Sequence, residues 1–163
     1  MNEGIKVYFG RIILVVLICG ALIFAIFYLN SHWGDIRDIR RQADAQSIIK
    51  ALDFYNIQIG YYPKNSENDG DGWDKSNDLT RSFLQPLSEL GLISSLIFDP
   101  KNNETYYYRY QKFAAGIFGC PNAFAVFQIT DFENNSFDLG HGSCPEFNWT
   151  KLAPHGFTWL GVD

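Results

Sequence analysis

Ile12 to Leu29, "IILVVLICGALIFAIFYL", is a run of eighteen residues without a charge. It constrains the fold more than any other feature of the chain. As an α-helix it is about 27 Å long, close to the hydrocarbon thickness of a bilayer. Lys6 and Arg11 precede it, and Tyr28, His32 and Trp33 lie at its far end, where aromatic rings favour the headgroup layer. A cleaved signal peptide is the competing reading, but the run is long for one and no small-x-small cleavage site follows it. Cys19 raises a lipoprotein junction, against which Ile18 before it is too large. The expectation is an uncleaved single span over 12–29, with residues 1–11 on the cytoplasmic side and a polar hinge at 30–34.

Charge alone does not orient the span. Lys6 and Arg11 favour an internal N-terminus, while Arg37, Arg40 and Arg41 pull the other way. The cysteines break the tie. Cys19 sits in the span, which leaves Cys120 and Cys144 as a pair, each followed by Pro ("FGCPN", "GSCPE"). Two unrelated buried thiols are the alternative. A disulfide implies an oxidising compartment, so the C-terminal part is expected to be extracytoplasmic. The chain has 163 residues and a net charge of −5, which suits one modest domain and gives no basic surface for nucleic acid.

A second helix is expected over 35–60. Ile36, Ile39, Ala43, Ile49, Leu52, Tyr55 and Ile59 recur at helical spacing and mark one apolar face, with Arg37, Arg41, Asp44 and Lys50 largely on others. Gly60 suits the position just past its end, and Pro63 forbids resumption. Residues 64–78 form an acidic loop. Residues 79–96, carrying Leu84, Leu87, Leu90 and Leu92, predict a short helix. Asp99-Pro100 is a turn. Strands are expected from 104 onward: "ETYYYRYQKF", then "AFAVFQITDFE", then a third near Ser136. The aromatic tail is expected to pack back on the sheet. The fold class is therefore α+β, an N-terminal transmembrane helix and a long amphipathic spine helix packed on a small antiparallel sheet, with the head over 35–163.

"RRQADAQSIIKALDFYNIQIGYYP", "FLQPLSELGLI", the Asp-Pro pair before "YYYRY", and "FAVFQITDFEN" follow one another between Arg40 and Asn134. In this order they resemble the type IV pilin-like superfamily, and most of all the major pseudopilin of type II secretion systems. The resemblance implies an architectural, non-enzymatic subunit, with other pilin-like subunits or secretion-machine proteins as partners beside the lipid bilayer. That family's processing junction has Gly followed by Phe and a Glu four positions on. Here Gly10 is followed by Arg11, and no Glu lies between Glu3 and Glu67. The rival reading is a stand-alone tethered head that binds an envelope partner without polymerising.

The acidic loop is the candidate for metal chemistry. "ENDGDGWDKSND" places Glu67, Asp69, Asp71, Gly72 and Asp78 in a calcium-loop register, and calcium takes six to eight oxygens around a sharp turn. Asp69, Asp71, Asp74 and Asp78 are the candidate ligands, with a solvated acidic turn as the plainer reading. His32, His141 and His155 are too scattered for zinc. No nucleophile elbow or phosphate loop is present. "YYYRY" suits a packed strand better than a stacking platform. Asn103, Asn134 and Asn148 each begin an N-x-S/T sequon, which in a bacterial chain reads as coincidence.

Overall fold

The structure, a computed structural model, describes residues 3–66, 72–78, 82–94, 96–134 and 140–163, with the helix side chains at 3–10 and 30–31 outside that description. Helix α1 runs from Glu3 to Ile59. The expected hinge at 30–34 is helical throughout. One glycine costs a helix only about 1 kcal/mol, whereas stopping and renucleating costs more. Two compact units emerge, Met1–Ile36 and Arg37–Asp163. The described residues of the first are helix alone. Its apolar window has a mean hydropathy of 3.1, and none of it is buried. By length and composition it suffices to cross a membrane.

The second unit is α+β. Gly60, at φ +88°, stops α1 in the left-handed conformation that glycine adopts without strain, and its N–H closes back on Asn56. The acidic loop is not all loop. Asp74–Lys75 forms a short edge strand, β1, antiparallel to β2 (Tyr108–Phe113). β2 pairs antiparallel with β3 (Phe124–Ile129). Beyond it, the tail is a strand in its own right. β7 (Phe157–Val162) pairs along all of β3. β4 (Gly140–His141) adds a parallel pair at the far side, so the order is β1-β2-β3-β7-β4. β5 (Ser143–Cys144) and β6 (Phe147–Asn148) make a separate small hairpin. Residues 135–139, where the third strand was expected to start, lie outside the described residues.

Two expectations need correction. Among the described residues, the helix expected over 79–96 is Gln85–Glu89 alone, here α2. Leu84 before it sits at φ 51°, Pro86 follows at its start, and Gly91 at φ 67° ends it. Backbone of that kind cannot join a longer helix. Strand β2 starts at Tyr108 rather than 104, because Asn103 Oδ1 takes the N–H groups of Thr105 and Tyr106 and turns the chain there.

The sheet is covered on both faces. Along β3, Ala125, Phe127 and Ile129 join Tyr108 and Tyr110 of β2 against Ile48 and Leu52 of α1. Phe124 and Val126 point the other way, into Trp73, Trp149 and the Cys120–Cys144 disulfide. All six residues of β3 are buried, the sign of a strand with neighbours on either side and cover above and below. Gln128, on the second face, is satisfied throughout: it donates to Trp149 O and Thr158 Oγ1 and accepts from Arg109 Nε.

The buried stripe of α1 is only in part the one expected: Leu52 lies in it, and Ile49 and Tyr55 pack at its edge. It runs Asp38, Arg41, Ala45, Ile48, Leu52, at gaps of three and four, with Ala51 beside it. Ile36, Ile39 and Ile59 are exposed, Ile39 by 60%, and Arg41 is fully buried. The helix face is set by partners: an arginine with three carboxylates to bind can take a core position that a lone charge cannot.

Candidate functional site

The side chains that most distinguish the head gather where α1 meets the loops leading into β2 and out of β3. Arg41 donates through Nε to Asp99 Oδ2 at 2.6 Å and through Nη2 to Asp99 Oδ1 at 3.0 Å. Its Nη1 reaches Asp38 Oδ1 at 2.6 Å and Glu133 Oε1 at 3.0 Å. Arg37 grips Glu133 with two bonds of 2.6 Å, and Lys101 Nζ lies 2.7 Å from Glu133 Oε2. Three acids thus face three bases, so the burial carries no net charge. Tyr106 completes the cluster, with the Arg41 guanidinium and the Lys101 ammonium each near its ring.

Each member is placed by local chain geometry. Asp38 and Arg41 are three apart on one helix and therefore share a face. Asp99 precedes Pro100, and its Oδ1 accepts the N–H groups of Lys101 and Asn102, so the Asp-Pro turn aims a carboxylate at the helix. Asp38 accepts the N–H groups of Glu133 and Asn134, which fixes the chain leaving β3. A helix, a turn and a strand exit are therefore tied through two side chains.

The electrostatics follow from the contacts. Burial pushes the Glu133 carboxyl up, but hydrogen bonds from Arg37, Lys101 and Arg41 outweigh it and bring it to about 2. Arg41 is disfavoured as a cation by burial, yet the bonds to Asp99, Asp38 and Glu133 leave it more firmly protonated than usual. Nearby, Asp44 accepts from Tyr108 Oη at 2.9 Å, and burial raises its carboxyl above the usual range. Burial beside that carboxylate also raises the Tyr108 hydroxyl.

The expected metal ligands do not come together among the described residues. Asp69 and Asp71 lie outside them. Asp74 is buried in β1, and its Oδ2 accepts the Ser66 N–H at 2.8 Å, so it shapes the loop from inside. Asp78 is half-buried one turn further on, with its N–H near Lys75 O. No group of three or more His, Cys, Asp or Glu among the described residues is arranged to hold a metal ion. Cys120 and Cys144 are joined, with Cα atoms 5.2 Å apart, and Cys19 is free. A depression of about 470 Å³ beside Lys64, Asn65 and Lys112 offers little to a ligand from Lys112, whose Nζ is held by Tyr62 O and Asp163.

Apolar periodicity by itself does not disclose the ion cluster. The signal was present: Asp38 and Arg41 continue, at three and four residues, the register of Ala45, Ile48 and Leu52. No family model, curated protein or solved structure matches this chain.

Proposed function

We propose that this chain is a membrane-anchored architectural subunit, with its N-terminus cytoplasmic and its head outside the cytoplasm, of the kind found in pilin-like assemblies such as type II secretion pseudopilins. The observation that carries the reading is the ion cluster on Arg41. It fastens the strand-bearing head to the helix through charge-assisted bonds to two separate segments, the Asp99 turn and the chain leaving β3 at Glu133. Such an attachment suits a protein whose helix carries mechanical load. The apolar stretch of α1 supports the anchor, and the Cys120–Cys144 disulfide supports an oxidising compartment for the head.

The test is cross-linking of the full chain in its native membrane. An architectural subunit gives a ladder of self-cross-linked products. A single adduct with a different envelope protein supports the rival, a tethered head that binds a partner without polymerising. The absence of the pilin junction acid after Gly10 is the observation that favours this rival.

A further inference from the structure

We propose that Asn103 and Asn148 are acceptors for an N-linked glycan. This rests on the reading that the head lies outside the cytoplasm. Both residues begin an Asn-x-Thr sequon and both are exposed. N-x-S/T is the acceptor pattern of exported surface loops; the pattern alone reads as coincidence in a bacterial chain, and what sets these two sites apart is that the fold presents both exposed and in one repeated way. Asn103 Oδ1 accepts the N–H groups of Thr105 and Tyr106 at 3.0 and 2.9 Å. Asn148 Oδ1 accepts from Thr150 N at 3.0 Å and Thr150 Oγ1 at 2.7 Å. Each carboxamide is therefore clamped by its oxygen to the threonine two residues on, in a turn of its own making.

The clamp decides what is left over. With Oδ1 engaged by the backbone, Nδ2 has no partner among the described residues at either position. Three other asparagines of the head contrast with this. Asn65 donates Nδ2 to Gly72 O, Asn77 to Asn103 O, and Asn102 to Ser76 O. Those amides hold loops together, and none begins a sequon. The third sequon, at Asn134, runs into 135–139, outside the described residues.

The reaction is a group transfer from a lipid-diphosphate-linked oligosaccharide. The Nδ2 nitrogen bonds to the anomeric carbon of the first sugar, and the bond from that carbon to the diphosphate oxygen breaks. The electron pair leaves with the lipid diphosphate. One Nδ2 proton passes to a base of the transferase. No redox partner is needed.

The test is peptide mapping by mass spectrometry of the full chain, purified from membranes of the cell that makes it. Peptides containing Asn103 and Asn148 should carry sugar mass. Thr105→Ala and Thr150→Ala should each lower the intact mass by one glycan. Both variants keep the backbone N–H that closes the turn, and a thermal melt confirms folding. Unmodified Asn103 and Asn148 in a map that covers both overturns the proposal. Labelling of a Lys151→Cys head by a membrane-impermeant thiol reagent separates the two levels. An unmodified but labelled head defeats the glycan alone, whereas an unlabelled head defeats the topology with it.

Discussion

Arg41 and Asp99, fifty-eight positions apart, form a two-bond pair with both side chains fully buried. Removing the cation leaves Asp38 and Asp99 buried without it. Breaking such a pair costs about 3–5 kcal/mol. Arg41→Ala should therefore lower the free energy of unfolding of the head by about that much in urea, followed by tryptophan fluorescence. Arg41→Lys should recover little, because an ammonium cannot serve Asp99 with two parallel bonds. A loss under 1 kcal/mol for Arg41→Ala would show the cluster to be incidental.

Acid should weaken the same attachment. The Glu133 carboxyl is depressed to about 2 in the folded chain from an ordinary 4.5. A group depressed on folding stabilises the fold above its unfolded value, and that contribution is lost as pH falls toward the folded value. The window is thus about pH 4.5 down to about 2. Asp44, raised by burial, acts with the opposite sign. Thermal melts at stepped pH should show a decline across the window that Glu133→Gln flattens. An equal decline in the variant would assign the acid sensitivity elsewhere.

Leu52 and Ile39 test the direction in which α1 faces. Leu52 is fully buried, whereas Ile39 is 60% exposed. Leu52→Ala should cost about 2–5 kcal/mol, and Ile39→Ala should stay within about 0.5 kcal/mol. Leu52→Asp should prevent folding of the head, since the charge would sit among the apolar side chains of the core. Equal costs at the two positions would restore the apolar face that Ile36, Ile39 and Ile59 suggest.

Opening the disulfide should loosen the second face of the sheet. Cys120 and Cys144, 24 positions apart, sit with Trp73, Phe124 and Trp149. A loop of this length is stabilised by roughly 3 kcal/mol. A paired Cys120→Ser, Cys144→Ser variant should melt well below the parent, and alkylation without reductant should find one thiol, Cys19. An unchanged melting temperature would remove the disulfide from the account of stability.

These contrasts mark what the sequence could and could not disclose. The apolar run, Gly60, Asp99-Pro100, the strands around Tyr108 and Phe127, and the pairing of Cys120 with Cys144 were legible, because each has a local or compositional signature. The face of α1 was not, because Arg41 is a core residue only once Asp99 and Glu133 arrive from distant segments. The length of α2 was not, because leucine spacing says nothing of the left-handed turn at Leu84. Strands β1 and β7 escaped notice because pairing with β2 and β3, rather than alternation in their own residues, makes them strands.

The proposed topology puts the head outside the cytoplasm, with α1 as its anchor. Cysteine accessibility in intact cells tests it most directly, using the full chain with Cys19→Ser and a single added thiol. A cysteine at exposed Lys151 should react with a membrane-impermeant maleimide from outside. One at Asn2 should react only after the membrane is opened, and the protein should stay in the membrane through an alkaline wash. Labelling of Asn2→Cys alone from outside, or release by the wash, would contradict the account.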